Sequence, residues 1–188
     1  RVHPLLHVVS AVLVAIGTTL SAFWILSANS WMQTPVGHEI RNGVAVPVDW
    51  LTIVFNPSFP YRLAHMLNAA YLTTGFVVLA VGARYLLAGK HVEDARTMMR
   101  MGLWLMAILA PLQLFIGDQH GLNTLQYQPI KIAAIEAHWD GSKPGDLVLF
   151  AWPDEKAEKN LYEIAIPRGA SLILRHDPNG LFPGLTSV

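Results

Sequence analysis

Apolar and polar positions are segregated along this chain into long uncharged runs separated by charged or proline-punctuated segments. The first run, Val8 to Met32, carries no charge and, at ~1.5 Å per residue, is long enough to cross ~30 Å of hydrocarbon as a helix. A second goes from Met66 to Ala83, opened by His65 and closed by Arg84, and a third from Met101 to Gly117, closed by Asp118. The pattern predicts three transmembrane helices, at about 5–31, 63–88 and 98–117. Thr18, Thr19, Ser21, Ser27, Asn29 and Ser30 are more polar than lipid-facing positions require, which predicts that one side of the first helix packs against other helices. Pro111 and Gln113 speak against a regular third helix, although proline is tolerated where neighbours satisfy the freed carbonyl.

Between these runs the pattern changes. The segment VPVDWLTIVFNPSFPY, Val46 to Tyr61, is aromatic and too short to cross, and reads as interfacial with Trp50, Phe55 and Tyr61 at headgroup level. From residue 118 the chain becomes polar and contains proline and glycine, with LVLFAW and SLILRH as apolar runs of strand length and room for one short helix. The division is therefore 1–117, membrane helices, and 118–188, an extramembrane region. The loop 84–100 carries Arg84, Lys90, Arg96 and Arg100 against Glu93 and Asp94, whereas 34–60 carries Arg41 against Glu39 and Asp49. The excess of basic residues places 84–100 in the cytoplasm, so His65 enters from the outer side and 118–188 lies outside.

Composition agrees with a membrane protein: 53% of the 188 residues are hydrophobic and 14% charged. The formal net charge is zero, so no basic field collects nucleic acid. The absence of cysteine excludes disulfides, iron–sulfur clusters and thiolate metal sites and makes histidine the first candidate for a metal ligand, with Met66, Met98, Met99 and Met101 as candidate haem ligands that more often fill apolar cores. The start at Arg1, without an initiator Met or a small-residue cleavage site, reads as an internal fragment. The glycines form no phosphate loop and the histidines no zinc or di-iron spacing.

Two places carry candidate chemistry. His65 sits where the outer interface meets a helix. A neutral imidazole there can bind haem iron axially, with Ala69 one turn on leaving room beside the ring; it can equally be an interfacial histidine bonded to a neighbouring helix. In KIAAIEAHW, Ile132, Ile135 and Trp139 share a helical stripe bordered on opposite sides by Lys131 and Glu136. An amphipathic helix of this kind holds an ammonium and a carboxylate beside an apolar groove, suited to a quinol ring with oxygens at both ends. Glu136 would accept the proton that an oxidised quinol releases and Lys131 would donate to a quinol oxygen. Two solvated charges on a surface helix are the other reading.

The residues also carry a resemblance. LSAFWILSANSWMQTPVG resembles the fourth membrane helix and its exit in subunit I of cytochrome bd-type quinol oxidases. RLAHMLNAAYLTTGF resembles the fifth helix, and GDQHG followed by KIAAIEAHW the start of that subunit's periplasmic quinol loop. The blocks stand in the family's order, and the resemblance runs from about residue 5 to 185. It implies an all-α membrane fold of three transmembrane helices plus a periplasmic quinol-binding loop region. It implies His65 as axial ligand of the low-spin haem b, and Lys131 and Glu136 as the residues that bind and oxidise quinol. It further implies another haem b and a haem d in the full-length subunit, a separate subunit II, ubiquinol or menaquinol and oxygen as reactants, and the bacterial inner membrane with its lipid as the setting. TPVGHE after WMQ resembles the cyanide-insensitive branch. The family's other helices fall outside this stretch, so the fragment alone is not expected to reduce oxygen. The rival readings are a transporter or assembly subunit without catalysis, and a quinol-oxidising cytochrome without oxygen chemistry.

Overall fold

The computed structural model of the chain describes residues 3–141 and 143–186. The chain divides into two compact units, one ending at Gln113 and the other beginning at Leu114.

The first unit opens with α1, Pro4–Gln33, with Pro4 in its first turn and His3 as N-cap. It stops at Thr34, which precedes Pro35 and has left helical geometry at φ −135° and ψ 71°, as the steric demand of a following proline requires. The hydroxyls of Ser10, Thr18 and Thr19 bond back to the carbonyls of Leu6, Val14 and Ala15 at 2.8, 2.9 and 2.8 Å. These polar residues are satisfied within their own helix and suit an apolar surround. Only Ser27 and Ser30 of the polar set are buried in helix packing.

Next come β1, His38–Arg41, and β2, Val44–Pro47, an antiparallel pair with Arg41 opposite Val44. Asn42 and Gly43 have φ of 53° and 77°, the left-handed pair that a two-residue hairpin turn requires. Asp49 caps the short α2, Trp50–Val54, by accepting from the backbone N–H groups of Leu51 and Thr52 at 3.1 and 3.2 Å and from Thr52 Oγ1 at 2.6 Å. That hydroxyl bond, with the backbone ones, holds its carboxyl below the usual range. The expected interfacial segment is thus a strand end, a helical turn and the start of α3, Phe59–Leu87.

A buried knot joins α1, α2 and the start of α3. Ser27 Oγ donates to Val54 O at 2.8 Å, Asn56 Nδ2 to Ile53 O at 3.0 Å, and Thr34 Oγ1 to Asn56 Oδ1 at 3.3 Å. Around it Phe23, Phe55 and Phe59 meet edge to face, with ring centroids 5.0 Å apart for Phe23 and Phe59.

α3 ends in a reversal: Gly89 is left-handed at φ 63° and Lys90 N reaches back to Tyr85 O at 3.1 Å. α4, Val92–Tyr127, begins with Glu93 and Asp94 against its positive N-terminal dipole. It returns antiparallel along α3, where Asn68, Gly75 and Gly82 recur every seventh residue and are buried. A Cβ on Gly75 would stand 3.1 Å from Met106 Sδ, and one on Gly82 3.3 Å from the Ala95 carbonyl oxygen. Small residues are what let these backbones approach.

Pro4–Gln33, Trp50–Leu87 and Val92–Tyr127 are each long and apolar enough to cross a membrane. α1 exposes Leu13, Val14, Leu20, Trp24 and Ile25 around its circumference, as a helix does whose surroundings are apolar on every side. Against the expected 98–117, α4 starts earlier and passes straight through Pro111 and Asp118 to Tyr127, so no helix boundary falls at 117.

The second unit contains the last turns of α4, then α5, Pro129–Ile135, the hairpin of β3, Leu147–Asp154, and β4, Lys159–Ile166, and α6, Gly169–Arg175. LVLFAW lies in β3 as expected for a strand. SLILRH does not form a strand: Ser171 to Arg175 belong to α6. The helix fits because Gly169, Ala170 and Ser171 are small and buried, and a Cβ on Gly169 would stand 2.7 Å from Leu147 Cβ. Ile132, Ala170, Leu174 and Phe182 form the core, with Leu125 of α4 packed on it. Ser171 ties the chain across it by donating to Gly180 O and accepting from Gly145 N, both at 2.7 Å.

Candidate functional site

His65 lies two turns into α3 and is half-buried. The turn that carries it is bracketed from α4. Gln113 Nε2 donates to His65 O at 3.4 Å, and Asn68 Nδ2 donates to Gln113 Oε1 at 2.6 Å and to Leu109 O at 3.0 Å. A histidine that holds haem iron needs only its own imidazole and planar space beside it, because the macrocycle supplies the in-plane donors. Ala69, one turn on along the same face, is a methyl-sized neighbour. One turn before it, Arg62 donates from Nη1 to Asn29 Oδ1 and has an enclosed Nε without a hydrogen-bond partner, a donor that could serve a carboxylate on the stretch of helix that leads to the imidazole. These residues fit a haem with acidic side arms. Among the described residues no three His, Cys, Asp or Glu side chains gather to hold a bare metal ion.

The second candidate centre is in the other unit. α5 does not reach Trp139 as expected: it ends at Ile135, with Glu136 as C-cap. Ala137 turns left-handed at φ 58°, and His138 N reaches back to Ala133 O at 2.8 Å. A left-handed alanine costs about 1 kcal/mol, and the turn is held from outside: Asn160 Nδ2, on β4, donates to Ala137 O at 2.8 Å. The same Nδ2 donates to Glu163 Oε2 at 2.6 Å, while Asn160 Oδ1 accepts from Trp139 Nε1 at 3.0 Å. The expected stripe is divided accordingly, since Ile132 is buried in the core and Ile135 is exposed.

The reversal places Glu136 at the wall of a cavity of about 510 Å³ between the end of α5 and the β3–β4 hairpin. Ile135, Trp139, Val148 and Phe150 give it apolar walls and Asn160 a polar edge. Lys131, half-buried on α5, is not among the lining residues. The structure therefore brings Glu136, Trp139 and Asn160 to one cavity and leaves Lys131 a turn and a half upstream.

The model of the cytochrome bd terminal oxidase subunit I family matches residues 1–188. The chain belongs to this family. It is 33% identical over 193 residues to the cytochrome bd-II ubiquinol oxidase subunit 1 of Escherichia coli (strain K12), covering 100% of this chain and 37% of that protein. It is 32% identical to the cytochrome bd ubiquinol oxidase subunit 1 of Bacillus subtilis (strain 168), covering 100% of this chain and 40% of that one. The structure of the bd oxidase from Geobacillus thermodenitrificans superposes with a TM-score of 0.82 at 30% identity, over 100% of this chain and 43% of that one. The chain thus spans about two fifths of the length of the relatives it matches.

Membership in a cytochrome family makes haem the cofactor to which His65 should be compared, and three apolar helices agree with a membrane oxidase family. Within this cytochrome bd segment, sequence reasoning missed Asn160. No local motif marks it, and its partners Ala137 and Trp139 lie more than 20 residues earlier. It also missed the β1–β2 hairpin, for which Asn42-Gly43 between alternating residues was the available signal.

Proposed function

We infer that this chain is part of a quinol:oxygen oxidoreductase of the bacterial inner membrane, and that its own share is the oxidation of quinol at the outer face. One observation carries the reading: a carboxylate, Glu136, stands at the wall of a mainly apolar cavity large enough for a quinol ring. Trp139 and Phe150 flank the ring, and Glu136 accepts the proton of a quinol hydroxyl as electrons leave it. Lys131 favours the ionised quinol oxygen by its charge from the preceding turns of α5, without lining the cavity. Residues 118–188 face the periplasm, as the basic loop 84–100 requires if it is cytoplasmic. Protons released from Glu136 then leave on the outside.

His65 is the residue that would hold a haem b through its imidazole. When bound, that group supplies a one-electron acceptor for quinol oxidation. The bracket of Asn68 and Gln113 fixes the turn of α3 from which the imidazole projects. A further haem b and haem d, and the reduction of oxygen to water, belong to parts of the subunit outside this stretch. Subunit II completes the enzyme. The quinol is ubiquinol or menaquinol.

The test is Glu136→Gln in the full-length complex. Quinol-driven oxygen uptake is expected to fall about 100-fold, the typical worth of a positioned general base, while dithionite still reduces the full haem complement. Wild-type quinol oxidation by Glu136→Gln would remove this reading.

A further inference from the structure

Arg62 is a half-buried cation on α3. Its Nη1 donates to Asn29 Oδ1 of α1 at 2.9 Å, and its Nε is enclosed without a hydrogen-bond partner. Neither environment supplies negative charge, and the ion pairs among the described residues involve Arg41, His91, Arg96 and His176 instead. A guanidinium stays charged in proteins, and an enclosed N–H without an acceptor leaves part of its hydrogen-bonding capacity unmet, which a nearby anion would satisfy. The site therefore calls for an anion beyond the residues described.

Spacing narrows the choice. Arg62 precedes His65 by three residues, so the two are neighbours on the helix surface. Arg62 stands toward the α3 N-terminus, the outer end by the charge bias of the loops. A planar guanidinium fork matches the paired oxygens of a carboxylate, as it does those of a phosphate. Haem carries two propionate carboxylates along one edge, and an arginine one helical turn from a ligating imidazole lies on the same side of the helix. The tie to Asn29 joins the guanidinium to α1 and limits its freedom to extend elsewhere.

We propose that Arg62 binds a propionate carboxylate of the haem held by His65. The proposal rests on the reading of His65 as a haem ligand. It adds that Arg62 fixes the haem's rotation about the iron–imidazole axis and raises its reduction potential, because a nearby cation favours the electron-rich form.

The experiment uses the full-length complex with Arg62→Gln and Arg62→Lys, reading two quantities of the low-spin haem: its propionate-bending band in the resonance Raman spectrum, and its midpoint potential. Arg62→Gln is expected to shift the band and lower the potential. Arg62→Lys is expected to shift the band, since the bidentate fork is lost, while nearly preserving the potential. An unmoved propionate band in either variant overturns the proposal and assigns the anion to a carboxylate elsewhere in the enzyme or to a lipid phosphate. If Arg62→Gln does not assemble, Arg62→Lys decides by the same band. Failure of the underlying reading looks different: His65→Ala would then leave the low-spin band in place.

Discussion

Asn68 Nδ2 stands 2.6 Å from Gln113 Oε1 across the seam of α3 and α4. Asn68 is buried, and both ends of the contact are used further. Asn68 also donates to Leu109 O, and Gln113 also donates to His65 O. A side-chain amide pair in an apolar seam thereby fixes the turn that carries the candidate haem ligand.

Asn68→Leu leaves Gln113 Oε1 and Leu109 O without this donor. The cost expected is roughly 1 kcal/mol, the usual worth of interhelical hydrogen bonds in membranes, read as a lower thermal midpoint of the purified complex with loosened low-spin haem. An unchanged midpoint would mean that the seam is held by its glycines alone.

Asn160 holds Trp139 and the left-handed Ala137 at once. Asn160→Asp keeps an acceptor for the indole but loses the donor to Ala137 O and sets two carboxylates together at Glu163. Its KM for a short-chain ubiquinol is expected to rise about tenfold, the scale of a modest misplacement of a binding group, with haem content intact. Glu163→Gln, which still accepts from Asn160, is expected to behave as wild type. A wild-type KM in Asn160→Asp would separate this amide from quinol binding.

Asp49 gives a pH expectation. Its carboxyl is held below the ordinary value by the Thr52 hydroxyl and then by the backbone N–H groups of α2. A carboxyl lowered by folding contributes stability above its unfolded pKa, and that contribution is lost as pH falls through the folded value. A carbon-13 titration of Asp49 should therefore have its midpoint below that of an unstructured aspartate, and Thr52→Val should raise it. A midpoint at or above the unstructured value contradicts the cap.

The topology is open to labelling, because this stretch has no cysteine. In a cysteine-free parent, Glu155→Cys in intact cells should react with a membrane-impermeant maleimide and Lys90→Cys should not. The reverse pattern would invert the outer placement of the Glu136 cavity.

The three spans are legible in the sequence because uncharged runs of that length have few other uses. Their ends are less so. Pro111 reads as a break, yet α4 continues to Tyr127 because its last turns are packed by Leu125 on the core of the second unit. SLILRH has the length of a strand, and short apolar runs do not distinguish strand from helix by pattern; the small residues before it settle the matter through contact with Leu147. Glu136 is legible as a candidate, but its ejection beyond the helix end is not. The left-handed residue there is Ala137 rather than glycine, and the reason for the turn, Asn160, lies on a distant strand. Lys131 shares the motif but not the cavity.

The central claim is that His65 holds the haem that receives quinol electrons. It is tested most directly by a reduced-minus-oxidised spectrum of the full-length complex, wild type against His65→Ala, with quinol as reductant. The expected result is selective loss of the low-spin b-type band together with quinol-driven oxygen uptake. A variant that keeps both would make His65 an interfacial histidine and contradict the account.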